Sequence, residues 1–588
     1  MPGSTCGRGG RPLIMATRGV VSAGHYLAAE AGLHVLRSGG NAMDAAAAVG
    51  FALNVLQPHQ NGLGGEVPVL VYSARDKQVY AVSGHGVAPA GATLGAFREL
   101  GVQEAIPGDG FLGALVPCVP DTWITVLERF GTMSLAQVLT PALELAEEGF
   151  PVANSLHGAI AGNEGRMRTQ WPSSAAVFMP GGRPPAAGTV WRQPDLASTF
   201  RKLIEAEAPR RGRENGLEAA RERFYRGDIA EAVVAFCTSA PVRDASGREH
   251  VALLTLDDFA RFRARVEPPA SVPYKGLVVH KCSAWTQGPV LLQTLRLLEG
   301  FPLAQMGHNS ADYIHVVTEC MKLAFADREF YYGDPEFVQV PFERLLGEAY
   351  AAERRRLVDM ARASSLLRPG GREPVRAGSV ADVDAAFARE GRSEGVGDTT
   401  KLEVADREGN MVSATPSGGW LMSSPVVPGL GFALGTRGQM FSLVAEHPNS
   451  LQPGKRPRTT LTPSLATRDS KPYLAFGSPG GDCQDQWALQ FLLNVMEFGM
   501  SLQEAAEAPT FNTAHFPSSF YPRRAEPGVL YVEGRIPDRV RMDLQNRGHL
   551  VKVTGDWSSQ NVLAAAWQDG VLSAAVSPRM ESGYAVGW

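Results

Sequence analysis

The chain has 588 residues, of which 44% are hydrophobic and 20% charged, a composition typical of a folded globular protein and not of a disordered one. Its formal net charge of −4 provides no basic surface, so we expect no nucleic-acid partner. Because no apolar run approaches the ~20 residues that span a membrane, and residues 1–26 hold no hydrophobic segment of secretory length, we predict a soluble, cytoplasmic protein without a membrane partner.

Two helices are predicted near the start of the chain. The first covers about 24–38 and ends at a glycine pair, since glycine tolerates the left-handed conformation that follows a helix. Asn41 suits the N-cap of the second helix, which continues to about Leu56 and whose small residues indicate close packing and burial. A glycine-rich turn at 59–66 then leads into a strand.

The remainder of the chain divides into three stretches of different character. Residues from about 120 to 360 carry amphipathic, helix-rich patterns. The stretch of about 361–397 is rich in Arg, Gly, Ala, Glu and Ser with few large apolar residues, which predicts an exposed, mobile segment. After residue 399 the pattern is typical of strands, with two helices expected at 484–497 and 501–508.

The usual signals of a bound metal or other cofactor are missing from the sequence. It contains neither an HExxH motif nor an EF-hand loop, and the twelve histidines do not cluster at ligand spacing. The six cysteines are scattered singly, which indicates reduced thiols and not a disulfide framework. We therefore expect no metal and no cofactor.

A candidate nucleophile stands at the start of the strand-rich part. A small polar turn ending at Asp398 delivers Thr399 and Thr400 to the start of an alternating segment. If the chain were cut before Thr399, this residue would carry a hydroxyl and a free α-amine, whose ordinary pKa of about 8 leaves a neutral fraction to act as a base. A threonine pair entering a strand is, however, also typical of plain β-propensity.

Short motifs along the whole chain favour the catalytic interpretation. They lie at 39–45, 58–65, 323–328, 333–335, 398–400, 455–457, 461–463 and 477–481. In this order they resemble the γ-glutamyltransferase (γ-glutamyltranspeptidase) family of N-terminal-nucleophile hydrolases. The resemblance implies an α+β fold, a four-layer αββα sandwich with a helix-rich large-subunit portion. It also implies autocatalytic scission between Asp398 and Thr399, giving a large subunit 1–398 and a small subunit 399–588 that stay associated.

The resemblance also implies a role for each matching residue. Thr399 would be the nucleophile and, through its α-amine, the general base. Ser417 takes the place of a hydroxyl that supports the nucleophile. The backbone N–H groups of Gly480 and Gly481 fall where the family builds its oxyanion hole, a task for which glycine lets the backbone approach closely.

The predicted substrate pocket departs from the family pattern. His85 stands where relatives hold the γ-glutamyl α-carboxylate with an arginine, Met440 stands where an acid clasps the α-amine, and Arg437 replaces a nearby Gln or Glu. The other pocket positions are Gly419, in place of a substrate-contacting asparagine, and Thr459 and Thr460, in place of a serine pair. Because Met440 cannot pair with an ammonium and Arg437 would repel one, a substrate carboxylate is favoured over an amine.

These residues predict a self-processing enzyme that hydrolyses or transfers a small acidic acyl group through an acyl-Thr399 intermediate, with water or an amine as acceptor. The strict γ-glutamyl version, acting on glutathione-like peptides, is the family default. An alternative is a C–C bond or oxamate-type hydrolase of specialised metabolism, such as antibiotic pathways to 4-alkylprolines. An alternative of another class is an unprocessed pseudoenzyme or scaffold.

Overall fold

The computed structural model describes residues 10–376 and 399–588, and strands occur in both ranges. In the first range they are β1 (Ile14–Ala16), β2 (Gly19–Ala23), β3 (Val69–Ser73), β4 (Gln78–Val82), β5 (Phe150–Pro151), β6 (Val190–Trp191), β7 (Val242–Arg243), β8 (Glu249–His250), β9 (Val266–Glu267), β10 (Ala270–Tyr274), β11 (Leu277–Lys281), β12 (Leu366–Leu367) and β13 (Val375–Arg376). In the second they are β14 (Leu402–Asp406), β15 (Met411–Ala414), β16 (Ser464–Arg468), β17 (Lys471–Gly477), β18 (Phe511–Thr513), β19 (Val529–Glu533), β20 (Leu550–Thr554), β21 (Leu563–Gln568), β22 (Val571–Val576) and β23 (Tyr584–Gly587).

Two seven-stranded sheets form the centre of the fold. Sheet I has the order β1-β22-β21-β17-β16-β11-β10, and sheet II has the order β23-β2-β14-β15-β3-β4-β9. Each sheet therefore contains strands from both sides of residues 377–398. In sheet II, β14 lies between β2 and β15, with Leu402 opposite Ala23 on one side and Ala414 on the other, both pairings being antiparallel.

Helices are concentrated before residue 360, as predicted. In the first range they are α1 (Tyr26–Arg37), α2 (Ala42–Leu56), α3 (Leu94–Glu99), α4 (Val119–Phe130), α5 (Leu135–Glu148), α6 (Asn154–Gly162), α7 (Glu164–Thr169), α8 (Pro172–Phe178), α9 (Pro194–Glu207), α10 (Arg213–Tyr225), α11 (Asp228–Ser239), α12 (Leu256–Arg261), α13 (Pro289–Leu298), α14 (Leu303–Met306), α15 (Ala311–Tyr331), α16 (Phe342–Leu345) and α17 (Glu348–Arg355). In the second they are α18 (Gln484–Phe498), α19 (Leu502–Glu507) and α20 (Asp538–Asn546).

The predicted N-terminal helix boundaries are confirmed by α1 and α2. Asn41 caps α2 by accepting hydrogen bonds from the N–H groups of Met43 and Asp44, while Asp44 accepts one from the Asn41 N–H. This reciprocal capping satisfies backbone donors that a helix end leaves unpaired. Every residue of α2 is buried, as its small side chains indicate.

Three hydrophobic clusters show how the sheets and helices pack. Residues of α1 and α2 pack with Leu402 and Val404 of sheet II, and residues of α13, α15 and α18 pack with strands of sheet I. A third cluster joins the two sheets, for example Ala405 of sheet II with Ala475 and Ala565 of sheet I. The predicted mixture of helix and sheet is thus confirmed, and β14 has one face toward helices and the other toward sheet I.

Part of the segment predicted to be mobile, 361–397, is described. Within 361–376, β12 pairs with β13, Leu367 is buried, and the Gly370 N–H donates to Asp327 Oδ1 at 2.8 Å. The rest of that segment and Asp398 lie outside the described residues. Within 10–376 and 399–588, no helix has the length and apolar character needed to cross a membrane.

Candidate active site

Thr399 lies at the entrance to β14, between the two sheets. Its backbone forms an isolated antiparallel bridge with Ser417, and its Oγ1 lies 3.1 Å from Ser417 Oγ. The next residue fixes the register, because the Thr400 N–H donates to Pro416 O at 3.0 Å and its hydroxyl donates to Gln57 Oε1 at 2.6 Å on the helical side. Thr399 is only 3% exposed, and these contacts place its hydroxyl beside that of Ser417.

Ser417 is held by a closed ring of contacts with Glu66 and Arg437. The backbones of Glu66 and Ser417 exchange hydrogen bonds of 2.8 and 2.9 Å. Arg437 Nε donates to Glu66 Oε2 at 3.2 Å, and Arg437 Nη2 donates to Ser417 Oγ. Because each residue contacts the other two, the serine hydroxyl is fixed by both its backbone and its side chain.

The Glu66–Arg437 ion pair is almost completely buried. Burial raises the pKa of Glu66 to about 7, an effect that the neighbouring guanidinium partly offsets. Burial also lowers the pKa of Arg437. The guanidinium carbon lies 5.1 Å from the Trp420 ring centroid and 5.4 Å from that of Phe520, a cation–π arrangement that favours the charged form. Nη1 of Arg437 has no hydrogen-bond partner among the described residues.

The Gly480–Gly481 turn follows β17 and requires glycine. Gly480 has φ +125° and Gly481 φ +54°, and a Cβ at Gly480 would overlap the Trp487 ring. Phe520 contacts the position of a Cβ on Gly481 and also faces Arg437, so its ring is a neighbour of both the turn and the Arg437 side chain. Within the described residues, the N–H groups of Gly480 and Gly481 make no hydrogen bond, which leaves two donors for a substrate oxygen.

Charged side chains from several predicted motifs anchor this turn and its surroundings. Asp482, next to Gly481, accepts from the Ser519 N–H at 2.8 Å and pairs with Arg328. Arg456 binds Asp334 through two nitrogens, at 3.0 and 2.7 Å. Residues from motifs that are far apart in sequence, such as Asp334 and Arg456, are therefore in direct contact.

His85 is buried and neutral. Its Nδ1 lies 2.8 Å from Gly86 O, so Nδ1 carries the proton and donates it, because a carbonyl oxygen only accepts. Burial lowers the pKa of His85 to about 3, with Arg437 among the positive groups that add to the effect. Nε2 is then a hydrogen-bond acceptor, and it has no partner among the described residues. His85 thus offers a neutral hydrogen-bond acceptor, whereas the family pattern predicts an arginine at this position.

The other predicted pocket residues differ in what they can offer. Thr460 Oγ1 is buried without a hydrogen-bond partner among the described residues, whereas Thr459 Oγ1 accepts from the Leu461 N–H at 3.2 Å. Met440 is buried beside Arg437 in a short 3₁₀ turn and supplies no charge. Gly419 has φ +59°, and a Cβ there would lie 2.7 Å from Gly65 N, so this position has no room for a side chain such as asparagine.

Lys401, two residues after Thr399, is also buried between the sheets. Its Nζ lies 2.5 Å from Glu403 Oε1 and donates to Ser413 Oγ at 2.8 Å and to Ala414 O at 3.0 Å. Burial lowers the pKa of Lys401 and raises that of Glu403 to about 7. The lysine charge is therefore compensated within β14 and β15.

One group of possible metal ligands forms in space although the sequence shows no ligand spacing. His315, Glu319 and His549 are buried, with ligand atoms within 4.8 Å of one another. His315 Nδ1 is hydrogen-bonded to His549 Nε2 at 2.9 Å, and Glu319 pairs with Lys322 and Arg368 at 2.5 and 3.0 Å. Since these contacts already occupy the groups and two cations border the carboxylate, the cluster fits a structural network better than a metal centre.

Glu66 is the main site residue that the sequence reasoning missed. It ends the glycine-rich turn at 59–66, and its backbone and side chain both reach the Thr399 neighbourhood. A signal was available, because an arginine predicted for a buried pocket needs a counter-charge. Sequence alone does not say which acid supplies it, since Glu66 and Arg437 are 371 positions apart.

A buried threonine hydroxyl within hydrogen-bond distance of a serine hydroxyl is an arrangement that enzymes with a hydroxyl nucleophile use. The family model described as gamma-glutamyltranspeptidase matches residues 28–587. The chain therefore belongs to the γ-glutamyltranspeptidase family, which confirms the resemblance and indicates an enzyme of the N-terminal-nucleophile hydrolase type.

Individual relatives cover nearly the full length. The glutathione hydrolase-like YwrD proenzyme of Bacillus subtilis (strain 168) is 31% identical, covering 98% of this chain and 99% of that protein. The solved structure of LmbA2991HD has a TM-score of 0.92 and 44% identity, covering 99% of this chain and 100% of that one. The cephalosporin acylase from Bacillus halodurans has a TM-score of 0.83 and 31% identity, covering 100% and 99%.

Proposed function

We propose that this chain is a self-processing enzyme that cuts itself between Asp398 and Thr399 and then cleaves amides through an acyl-Thr399 intermediate. The large subunit 1–398 and the small subunit 399–588 stay together in a four-layer αββα sandwich. The enzyme acts on a small acidic acyl group, which it hydrolyses or transfers to an amine. The observation that carries this proposal is the buried Thr399 hydroxyl, 3.1 Å from Ser417 Oγ at the start of a central strand.

The proposed reaction uses groups that belong to this chain. The Thr399 hydroxyl attacks the carbonyl carbon of Asp398, and the peptide C–N bond breaks, which frees the α-amine of Thr399 and leaves an ester. Water then hydrolyses this ester, which gives the Asp398 carboxylate and regenerates the Thr399 hydroxyl. In turnover, Thr399 Oγ1 bonds to the substrate carbonyl carbon while the amine takes the hydroxyl proton and passes it to the leaving nitrogen. The N–H groups of Gly480 and Gly481 would stabilise the negative oxygen, each such donor being worth about 3 kcal/mol.

The pocket favours an acyl group with an acidic or carbonyl-rich end over a γ-glutamyl group. Among the described residues, one terminal nitrogen of Arg437 has no hydrogen-bond partner, which suits a carboxylate oxygen. Met440 offers no charge for an ammonium, and Glu66 is already paired with Arg437. The relatives named glutathione hydrolase-like and cephalosporin acylase are both consistent with amide cleavage in such a site.

A second candidate is hydrolysis of an oxamate-type amide or of a C–C bond next to an oxalyl group. The same unpartnered Nη1 of Arg437 favours it, because an α-keto acid presents adjacent oxygens to a guanidinium. In this case the neutral His85 Nε2 would accept a hydrogen bond from a substrate hydroxyl or N–H group.

A comparison of three p-nitroanilides tests the proposal. Cleaved enzyme is assayed with γ-glutamyl, glutaryl and oxalyl p-nitroanilide, with the Thr399→Ala variant as a control. We expect kcat/KM to be at least tenfold higher for the glutaryl or oxalyl compound, and no turnover by the variant. A clear preference for the γ-glutamyl compound would show that our interpretation of the pocket is wrong. Turnover by Thr399→Ala would show that Thr399 is not the nucleophile.

A further inference from the structure

A cavity of about 480 Å³ lies where α1 and α6 begin, and it shares no residue with the candidate active site. It is lined by His25 and Tyr26 at the start of α1, by residues 151–154 at the start of α6, and by 187–188 and 581–582. A volume of this size is in the range of cavities that hold small organic molecules. Its chemistry depends on the few polar groups that line it.

His25 offers this cavity a buried hydrogen-bond donor. The residue is 2% exposed, and its Nδ1 caps α1 by accepting from the Leu27 N–H at 3.2 Å. Burial, with a smaller effect of the neighbouring His59, lowers the pKa of His25 to about 4, so the ring is neutral and its proton is on Nε2. Within the described residues this N–H has no hydrogen-bond partner, and a donor left unpaired in this way favours a ligand with an acceptor.

Glu581 supplies the charge of the cavity. Its Oε1 accepts from the Asn154 N–H at 3.1 Å and from Asn154 Nδ2 at 2.8 Å, and its Oε2 accepts from the Ser155 N–H at 2.9 Å. Burial acts to raise the pKa of Glu581, but the hydrogen bonds from Ser155 and Asn154 outweigh it and lower the pKa. A carboxylate has about four acceptor positions, so Oε2 can accept one more hydrogen bond.

The remaining walls suit an aliphatic cation. Among the described residues that line the cavity, Glu581 is the only one that carries a charge at neutral pH, so the lining favours a positive ligand. The Tyr26 ring is 46% exposed and stacks on His25 with 4.7 Å between ring centroids, which leaves an aromatic face for a cation. Pro151, Val152 and the neighbouring alanines provide apolar surface.

We propose that this cavity binds a small aliphatic amine in its cationic form, with a neutral hydrogen-bond acceptor such as a hydroxyl near the ammonium. Glu581 accepts from the ammonium, His25 Nε2 donates to the hydroxyl oxygen, and the aliphatic part lies against Pro151 and Val152. A carboxylate in place of the hydroxyl is disfavoured, because it would bring a second negative charge close to Glu581. The assignment is independent of the proposed function, since it involves neither Thr399 nor the cut before it.

Three related compounds test the ligand class by isothermal titration calorimetry of wild-type protein at neutral pH. L-leucinol has an ammonium, a hydroxyl and a branched aliphatic chain, 4-methyl-1-pentanol lacks the ammonium, and L-leucine has a carboxylate in place of the hydroxyl. We expect L-leucinol to bind at least tenfold more tightly than either of the others. No binding of L-leucinol at about 10 mM, or equal binding of 4-methyl-1-pentanol, would overturn the proposal.

Two variants test whether the binding is in this cavity. His25→Asn keeps a side-chain oxygen that can cap α1 but removes the Nε2 donor, and Glu581→Gln keeps an acceptor for the start of α6 but removes the charge. We expect the Kd of L-leucinol to rise at least fivefold in His25→Asn and at least tenfold in Glu581→Gln. A Kd that is unchanged in both variants would place L-leucinol elsewhere on the protein and contradict the assignment.

A matched control separates contact with the ligand from loss of a helix cap. Glu207 caps α5 in the same way, by accepting from the N–H groups of Leu135 at 2.8 Å and Ala136 at 2.7 Å, but it does not line the cavity. We expect Glu207→Gln to keep the Kd of L-leucinol within twofold of wild type. Equal losses of affinity in Glu207→Gln and Glu581→Gln would show that the effect comes from helix capping, and would overturn the role of Glu581 in binding.

Discussion

At the scale of single residues, the site depends on backbone conformations and protonation states that few other residue types could adopt. The Gly480 backbone, at φ +125°, turns directly after β17 and leaves its N–H without a partner among the described residues. His85 is kept neutral by burial, with its proton on the nitrogen that faces Gly86 O. The first feature leaves a hydrogen-bond donor at Gly480, and the second leaves an acceptor at His85 Nε2.

The Gly480 conformation leads to a prediction about catalysis. Gly480→Ala places a Cβ against Trp487 and strains the backbone, so the turn must move and its donors lose alignment. We expect kcat for glutaryl p-nitroanilide to fall about 100-fold, the loss typical of one oxyanion donor. Gly499→Ala is the control, because Gly499 has φ +66° but open space around it. Similar kcat losses in both variants would contradict a specific role for the turn.

The neutral His85 leads to a prediction about stability and pH. Its folded pKa of about 3 lies below the ordinary 6.5, so below pH 6.5 the unfolded chain binds a proton that the folded chain does not. Stability is therefore lost as pH falls from 6.5 toward 3, by about 1.4 kcal/mol per pH unit for this one group.

Urea unfolding between pH 6 and pH 4 measures this contribution, using uncleaved Thr399→Ala chains with and without His85→Asn. The His85→Asn chain should lose less stability per pH unit, by about 1.4 kcal/mol. Equal slopes with and without His85 would contradict the expected neutral state.

Individual positions show which contacts could be predicted from the sequence and which could not. Thr399 and Ser417 could be paired from the family pattern, because both belong to one short stretch around a strand pair. The Glu66–Arg437 pair could not, because two segments far apart in sequence meet only through the glycine turns that make room for the carboxylate. The family pattern predicts an asparagine where this chain has Gly419, but only the structure shows that the backbone of Gly65 occupies the space of a side chain there.

At the scale of elements, β14 connects Thr399, the proposed nucleophile, to the space between the sheets. Its apolar residues Leu402 and Val404 face the helices, while Lys401 and Glu403 lie on the other face and are completely buried. Alternation along a strand explains this division. A charged pair that faces a second sheet could not be predicted from the pattern, since charged residues at alternate positions of a strand normally indicate a face exposed to solvent.

This pair leads to a prediction about folding. Lys401→Met leaves Glu403 buried without its cation, and we expect a loss of about 3–5 kcal/mol in the free energy of unfolding. Adding Glu403→Leu should recover most of that loss, because no unpaired member of the Lys401–Glu403 ion pair then remains. Urea unfolding of uncleaved Thr399→Ala chains measures both values. A double variant as unstable as Lys401→Met would show that the ion pair is not the cause.

At the scale of the whole molecule, both seven-stranded sheets combine strands from before and after residues 377–398. A cut before Thr399 would therefore separate two chains that share each sheet and its core, which is consistent with subunits that stay associated. The helix and sheet content could be predicted from the patterns along the chain. The strand order could not, because it depends on pairings between distant segments, such as β1 with β22.

Intact mass spectrometry of the purified protein tests the central claim most directly. We expect wild type to give two species, residues 1–398 and 399–588, that elute together in size-exclusion chromatography under native conditions. Thr399→Ala should give one uncut chain with the same elution. A single uncleaved 588-residue species in wild-type preparations that turn over glutaryl p-nitroanilide would contradict Thr399 as an N-terminal nucleophile.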